Sequence, residues 1–260
     1  IETAARIIDP VFLNSPQIES PKLSALLGMT LVLKDETRNP IRCFKGRGAD
    51  FFVSRLPAKP PRLVCASAGN FGQGMAYAAR KRGLPLVVFA AENASPAKLE
   101  AMRRLGAEIH LHGNDFDEAK DCARAFARET GTHFVEDGLE PSISEGAGTL
   151  AVELCRWPAA FDALLIPLGN GALLAGTARW MKSHSPSTQI IGVCAAGAPS
   201  MALSLKEKKL RTTDLVNTIA DGIAVRLPIP EALADLEGLV DDVVLVEEDT
   251  IVEAMRLLYQ

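Results

Sequence analysis

Apolar runs of strand length alternate with amphipathic segments of helix length from about residue 62 onward. The first pair is the strand RLVCAS and a helix from about residue 71 to Gly83, which the strand LPLVVFAA follows. This alternation is typical of parallel βα units, in which helices cover a buried sheet. Later members are the strands AEIHLHG, FDALLIPL, TQIIGVCA and DDVVLVEE, the helices GTLAVELCRW and LLAGTARWMKSH, and a final helix from about Thr250. The sequence therefore predicts an α/β protein with parallel sheets.

Two helices in this pattern carry start and stop signals. Ser95 is predicted to cap a helix that has Pro96 at its first position and ends at Gly106. Asn114 is predicted to cap the next helix, which ends at Gly131. Both helices would pack against the strands that flank them in the sequence.

The charge pattern excludes several classes of partner. The chain has 28 Lys and Arg residues against 32 Asp and Glu, and the basic residues are scattered rather than clustered. We therefore expect neither nucleic-acid binding nor attachment to an anionic membrane. A small-molecule substrate is therefore the better expectation. Because 48% of the residues are apolar, the chain can also form a sizeable core.

The cysteines and histidines favour a reducing compartment and no metal. The five cysteines are widely spaced with no C-x-x-C pair, which argues against disulfides and zinc. His110 and His112 alternate on a predicted strand and form no ligand cluster with the other histidines. No apolar run reaches the ~18 residues that a membrane span needs. A cytoplasmic protein is predicted.

Three loops between strands and helices carry polar or glycine residues. They are CFKGRG around Lys45, ASAGNFGQG at 66–74 and PLGNGALLAG at 167–176. Ligands bind where parallel strands end and helices begin, and free backbone N–H groups there attract anions. The third loop lacks the sequence of a P-loop and of a dinucleotide fingerprint. The first could hold an ordinary surface lysine, and Gly-Asn in the second could simply make a turn.

One lysine, one phosphate-binding loop and one further polar loop suit a pyridoxal phosphate site, although the residues alone do not require it. The chain also resembles the fold type II pyridoxal phosphate-dependent enzymes over nearly its whole length, specifically the serine/threonine dehydratase branch. The stretches that carry the resemblance, in family order, are KDETRNPIRCFKGRGA, SAGNFGQGMAYAAR, EGAGTLAVEL, PLGNGALLAG, GAPSM and TIADGIAV.

The resemblance implies the two-domain, three-layer parallel-sheet fold of the tryptophan synthase beta-like enzymes. Residues 1–57 and 143–260 would form a large cofactor-binding domain, and residues 62–142 a small mobile domain. It also implies pyridoxal 5'-phosphate as cofactor, a small amino-acid substrate, and a homodimer or homotetramer.

The resemblance further assigns roles to individual residues. Lys45 would be the Schiff-base lysine and catalytic base, with Phe44 beside the cofactor. Asn70 would hydrogen-bond the 3-hydroxyl of the cofactor ring. The residues that would bind the cofactor phosphate are Gly169, Asn170, Gly171, Ala172 and Leu173. Those that would bind the substrate are Ser67, Ala68, Gly69 and Asn70.

The implied activity is a dehydratase or ammonia-lyase that converts L-threonine, L-serine or a related β-hydroxy amino acid to a 2-keto acid and ammonia. Ala68 stands where racemases of this branch carry serine, and alanine cannot accept a proton. Elimination is therefore favoured over racemisation.

Four departures from the family pattern keep alternatives open. Asn170 in the glycine loop is similar to threonine synthases, so a replacement enzyme resembling them is one alternative. Phe71 replaces a common histidine, which could change the substrate. Cys194 replaces an acidic residue that helps to bind a cation in relatives, so no metal is expected. The chain stops after AMRLLYQ, where relatives continue with the residue that faces the pyridine nitrogen. A catalytically incomplete pyridoxal phosphate-binding protein is the other alternative.

Overall fold

The computed structural model describes residues 1–57 and 60–259. Within them the helices are α1 (Glu2–Ile7), α2 (Pro21–Leu27), α3 (Lys45–Ser54), α4 (Asn70–Lys81), α5 (Pro96–Arg104), α6 (Phe116–Thr130), α7 (Pro141–Ala147), α8 (Thr149–Leu154), α9 (Ala172–His184), α10 (Ser200–Glu207), α11 (Pro230–Leu236) and α12 (Glu248–Leu258). The strands are β1 (Gln17–Glu19), β2 (Val32–Lys34), β3 (Leu63–Ala66), β4 (Leu86–Ala90), β5 (Glu108–Leu111), β6 (His133–Val135), β7 (Ala163–Pro167), β8 (Gln189–Ala195) and β9 (Asp242–Val246).

The chain divides into two compact units. The four-stranded unit consists of Glu2–Leu13 and Asn39–Ala147, and the three-stranded unit of Ile1, Asn14–Arg38 and the chain from Gly148 onward. This grouping places residues 39–57 with the segment predicted as the small domain. The predicted division into a large domain of residues 1–57 and 143–260 and a small domain of residues 62–142 stays a prediction.

The sheet of the four-stranded unit has the order β5-β4-β3-β6, and every neighbouring pair is parallel. All four residues of β3 are buried, as expected of a central strand covered on both faces. Helix α6 packs on β3 and β4, and its Ala123 and Ala127 belong to the same buried apolar cluster as Val64 and Phe89. The parallel sheet predicted from the alternating pattern is confirmed.

Helix α3 lies unusually close to its neighbours because glycines face it. An ideal Cβ on Gly146 of α7 would lie 2.6 Å from the Arg47 carbonyl oxygen and 2.7 Å from the Gly48 Cα. A Cβ on Gly48 would in turn lie 2.6 Å from the Ile143 carbonyl oxygen. Backbone therefore packs on backbone, which fixes the position of α3 and of its first residue, Lys45.

A buried carboxylate ties the start of the chain to α3. Asp50 is fully buried in α3, and its two oxygens accept hydrogen bonds from the Asp9 backbone N–H at 2.8 Å and from Arg82 at 2.6 Å. Lys81 donates to the Asp9 carboxylate at 2.6 Å, and this bond holds the pKa of Asp9 below its usual value. Each oxygen of Asp50 thus has a partner.

The three-stranded unit has a parallel sheet of order β7-β8-β9 and a separate antiparallel pair, β1 and β2. Its apolar core lies between the sheet and α9, α10 and α11, with Leu174, Ile190 and Leu236 fully buried. Lys34 of β2 pairs with Glu153 of α8 at 2.6 Å, and the Asn14 backbone N–H donates to the other Glu153 oxygen at 2.8 Å. The pair thus anchors β2 to α8.

The helix boundaries confirm some predicted caps and correct others. Helix α5 has Pro96 in its first turn as predicted, but the Ser95 side chain makes no capping bond. The N-cap of α6 is Asp115 and not Asn114, since the Asp115 carboxylate accepts from the Glu118 backbone N–H at 2.9 Å. Gly131 ends α6 in the left-handed conformation, at φ 63°. Throughout residues 1–57 and 60–259, every helix is too short or too polar to cross a bilayer.

The contact between α3 and α7 predicts a large effect of one methyl group. We expect Gly146→Ala to lower the free energy of unfolding by about 1–3 kcal/mol, because its Cβ overlaps the backbone of Arg47 and Gly48. Gly222→Ala is the control, since Gly222 is exposed and a Cβ there meets no atom within 4 Å. Urea unfolding of both variants measures the difference. Equal effects would contradict the close packing of α3 on α7.

Candidate active site

Lys45 begins helix α3, and its amine lies near two phenylalanine rings and one carboxylate of the four-stranded unit. The Nζ atom lies 5.0 Å from the ring centroid of Phe44 and 6.0 Å from that of Phe71. It forms an ion pair with Oδ2 of Asp137, and the two side chains are only 15% and 11% exposed. The sequence placed Lys45 in a loop before a helix. The structure corrects this, because Lys45 is the first helical residue.

Lys45 also lies close to the second predicted loop. A Cβ on Gly74 of α4 would lie 3.1 Å from the Lys45 carbonyl oxygen, so α3 and α4 approach at this residue. Phe71, whose ring faces the Lys45 amine, is the second residue of α4. The first turn of α4 and the first turn of α3 therefore meet.

Ser67 shapes the loop that leads from β3 into α4. Its hydroxyl oxygen accepts hydrogen bonds from the backbone N–H groups of Gly69 at 3.1 Å and Gly72 at 2.9 Å. The hydroxyl proton can still be donated to a ligand. Ala68 and Gly69 are half-buried, and Asn70 is exposed at the first position of α4. The Gly72 N–H is bonded to Ser67, but the N–H groups of Asn70 and Phe71 in the first turn of α4 have no partner within the helix, so this loop can bind a carboxylate.

Asp137 is a residue of this site that the sequence did not reveal. It lies in a turn directly after β6, in which the Leu139 N–H donates to the Glu136 carbonyl oxygen at 3.2 Å and Gly138 has φ 93°. Its Oδ1 atom is buried and has no hydrogen-bond partner. An acidic residue before a glycine reads as an ordinary turn, and its proximity to Lys45 depends on the order of strands, which the sequence does not give.

Glu136 fixes the turn that carries Asp137. The Glu136 side chain is 7% exposed, and both of its oxygens accept from Nη2 of Arg124 in α6, at 2.8 and 2.7 Å. The Lys120 ammonium lies 3.6 Å from the same carboxylate. Burial opposes the charged form of Arg124, but the bonds to Glu136 outweigh it and raise its pKa. Two cations of α6 thus hold the end of β6 in place.

The predicted phosphate loop lies in the three-stranded unit. It follows β7, and Gly171 precedes α9 at φ 92°, a conformation that favours glycine. A Cβ on Gly169 would lie 3.0 Å from the Gly222 carbonyl oxygen, so a side chain does not fit there either. Asn170 lies between these glycines, and Ala172 and Leu173 open the 13-residue helix α9. Small residues that open a helix leave backbone N–H groups accessible to a phosphate, which fits the group that the resemblance implies.

Cys194 lies beneath this loop as a core residue. Its thiol is 1% exposed and donates to the Leu168 carbonyl oxygen at 3.5 Å. Burial raises the pKa of the thiol to about 11, so it is neutral at physiological pH. Over the described parts of the chain, no three His, Cys, Asp or Glu side chains come together in a way that could hold a metal ion.

The predicted residues thus fall into two sets. Those gathered in the four-stranded unit are Phe44, Lys45, Ser67, Ala68, Gly69 and Asn70, and those in the three-stranded unit are Gly169, Asn170, Gly171, Ala172 and Leu173. Their roles toward cofactor and substrate stay predictions.

Comparison with known proteins gives a consistent result. The model of the family described as "Pyridoxal-phosphate dependent enzyme" matches residues 8–260. The L-threonine ammonia-lyase of Geobacter sulfurreducens is 38% identical over 94% of this chain and 61% of that protein. The chain spans less than half of several longer relatives, 48% of one from Pasteurella multocida and 43% of one from Arabidopsis thaliana.

Solved structures agree in fold. The processed threonine deaminase isoform 2 of Solanum lycopersicum has a TM-score of 0.92 at 33% identity, covering 99% of this chain and 76% of that one. The threonine deaminase of T.th. has a TM-score of 0.93 at 33% identity, covering 100% of this chain and 85% of that one. The predicted fold class is confirmed.

The Glu136 contacts predict that this carboxylate stabilises the end of β6. We expect Glu136→Gln to lower the free energy of unfolding by about 1–3 kcal/mol, because buried charge-assisted bonds to Arg124 and Lys120 are lost. Asp121→Asn is the control, since Asp121 pairs with the same Arg124 but is 76% exposed. Its effect should stay below about 0.5 kcal/mol. Urea unfolding measures both free energies. If Glu136→Gln lowered the free energy of unfolding no more than Asp121→Asn does, Glu136 would not hold the Asp137 turn in place.

Proposed function

The chain belongs to the pyridoxal-phosphate dependent enzyme family, and from this premise we propose that it is a dehydratase or ammonia-lyase. Its substrate would be L-threonine, L-serine or a related β-hydroxy amino acid, and its products a 2-keto acid and ammonia. The observation that carries the proposal is the Lys45 amine, buried beside two phenylalanines and next to a loop suited to a carboxylate. The names of the relatives, threonine ammonia-lyase and threonine deaminase, support the choice of substrate.

Pyridoxal 5'-phosphate, when bound, supplies an electron sink that stabilises negative charge on the Cα of an amino acid. The phosphate would be bound by the backbone N–H groups of Gly169, Asn170, Gly171, Ala172 and Leu173. The positive end of the α9 dipole and the close backbone of the glycines support this role. Asn70 would donate from its side-chain amide to the ring hydroxyl of the cofactor, and Phe44 would pack beside the ring.

Lys45 would link covalently to the cofactor and, when released by substrate, take the proton from Cα. Phe44 and Phe71 lie within 6.0 Å of Nζ and would limit the access of water to a base at this position. The loop at Ser67, Ala68, Gly69 and Asn70 would hold the substrate carboxylate through backbone N–H groups and the Ser67 hydroxyl. This would orient the Cα proton toward Lys45.

The proposal extends to location and assembly. We propose a cytoplasmic protein, because its free cysteines suit a reducing compartment. We also propose a homodimer or homotetramer. Large apolar side chains exposed on the three-stranded unit support self-association, among them Leu165 at 67% and Leu245 at 48% exposure.

Replacing Lys45 tests the activity. In Lys45→Ala, the absorbance band of the covalently bound cofactor should disappear, and 2-keto acid release from L-threonine or L-serine should fall at least about 10²–10⁴-fold. The exposed Lys209→Ala variant is the control and should retain both the band and the rate. Spectra and a keto-acid assay measure the two quantities.

Two outcomes would replace the proposal. Turnover of O-phosphohomoserine with none of L-threonine or L-serine would favour a replacement enzyme resembling threonine synthase. A normal band in the unaltered chain without release of any keto acid would indicate a cofactor-binding protein that is catalytically incomplete.

Ala68 offers a separate test of the reaction type. We expect Ala68→Ser to produce D-serine from L-serine above the wild-type background, because the new hydroxyl can exchange a proton with Cα. Chiral chromatography detects the product. The double variant Lys45→Ala/Ala68→Ser is the control and should form none. An Ala68→Ser variant that releases keto acid but no D-serine would show that Ala68 does not decide between elimination and racemisation.

A further inference from the structure

Only one of the two oxygens of the Asp137 carboxylate has a partner. Oδ2 is paired with the Lys45 amine, whereas Oδ1 is buried without a hydrogen-bond partner. A buried carboxylate oxygen without a donor is costly, so such a group in a native structure calls for an explanation. The side chain is 11% exposed, so bulk water compensates little of this cost.

The position of Asp137 places it beside the proposed substrate. Strands β3 and β6 are parallel neighbours, and Cys65 is paired with Val135. Ser67 and Asp137 each follow two residues later in the chain, just beyond the ends of the strands, so the carboxylate and the Ser67 loop lie at the same edge of the sheet. The bonds from Arg124 and Lys120 to Glu136 hold the adjoining residue in place.

The contact with Lys45 sets the part of the substrate that Asp137 can reach. If Lys45 removes the Cα proton, its Nζ must come within about 3–3.5 Å of the reacting group. Asp137 touches that nitrogen, and Cβ is bonded directly to Cα. A donor on the Cβ substituent therefore lies within hydrogen-bond reach of the carboxylate.

We propose that Asp137 is a specificity residue that binds an ammonium group on the substrate Cβ, so that the site takes 2,3-diamino acids in addition to β-hydroxy amino acids. This inference rests on the proposed function. A Lys45 amine that takes the Cα proton must be neutral beforehand, so at that stage it would offer the carboxylate no full ammonium partner. A β-ammonium offers a full charge and three donors, whereas a β-hydroxyl offers one neutral donor.

The reaction follows the same course as dehydration. In L-2,3-diaminopropionate the Cα–H and Cβ–N bonds break, the Cα=Cβ bond forms, and the β-nitrogen leaves as ammonia. Water then hydrolyses the resulting 2-aminoacrylate to pyruvate and a second molecule of ammonia. One water is consumed, and no oxidant or reductant is needed.

The first test compares two substrates of nearly equal shape in the cofactor-loaded enzyme. We expect kcat/KM for L-2,3-diaminopropionate to exceed that for L-serine about 10- to 100-fold, as a hydrogen bond to a charged group would give. In the isosteric Asp137→Asn variant the preference should disappear, so that the ratio of the two kcat/KM values falls at least about 10-fold. The control is Asp121→Asn, an exposed acid, which should keep the wild-type preference. If Asp137→Asn does not load cofactor, Asp137→Ala takes its place.

The second test needs neither cofactor nor turnover. In Lys45→Ala, Asp137 keeps its carboxylate but loses its cation, so ethylammonium chloride should raise the melting temperature more than sodium chloride at equal ionic strength. The double variant Lys45→Ala/Asp137→Asn should respond equally to both salts. No difference between the salts in Lys45→Ala would overturn the proposal that Asp137 binds an ammonium.

The two tests separate failure of the inference from failure of the proposed function. The enzyme could turn over both substrates while Asp137→Asn leaves the preference for L-2,3-diaminopropionate over L-serine unchanged. That result would overturn the inference but not the proposed lyase activity. An ethylammonium effect without turnover of either substrate would support the ammonium site and overturn the proposed activity.

Discussion

A buried ammonium must be paired or neutralised, and this requirement organises the four-stranded unit around Lys45. The amine lies near the rings of Phe44 and Phe71 and is paired with the carboxylate of Asp137. Keeping these groups in contact requires α3 and the end of β6 to be held firmly. Backbone contact through Gly146 holds α3, and Glu136 with its two cations holds β6. The contacts of Gly146 and Glu136 thus help to fix the position of the Lys45 Nζ atom.

The sequence predicted the parts of this arrangement that depend on local pattern. Alternation of apolar runs with amphipathic segments was enough for the parallel sheets, and the loops after β3 and β7 could be found from their small and polar residues. Gly46 and Gly48 misled the prediction at Lys45, because glycine suggests a loop. In the structure these residues are helical, and their missing side chains make room for Phe12 and Ile143. Local propensity was overridden there by close packing.

Other features lay beyond the reach of a single sequence because they depend on tertiary neighbours. Asp137 meets Lys45 only because β6 lies next to β3 at the edge of the sheet, and strand order is not written in the pattern of either strand. Strands β1 and β2 have three residues each, too few for a periodicity to be recognised. At the start of α6, Asn114 and Asp115 are equally suitable caps, and only the structure shows that the second accepts the hydrogen bond.

Among the described residues, carboxylates with buried oxygens fall into two kinds: those with both oxygens bonded, and those of Asp137 and Glu248, which each leave one buried oxygen without a partner. Asp50, Glu136 and Glu153 each have both oxygens bonded, to a backbone N–H or to a cation. A buried carboxylate that contributes to folding is expected to have both oxygens hydrogen-bonded, since an unpaired oxygen lowers the stability of the protein. Asp137 departs from this pattern at Oδ1 and shares its other oxygen with the lysine proposed to move a proton. An apolar residue at 137 would avoid that cost but would leave the Lys45 ammonium without its partner. Pairing with Lys45 thus explains Oδ2, and a ligand that supplies the missing donor explains Oδ1.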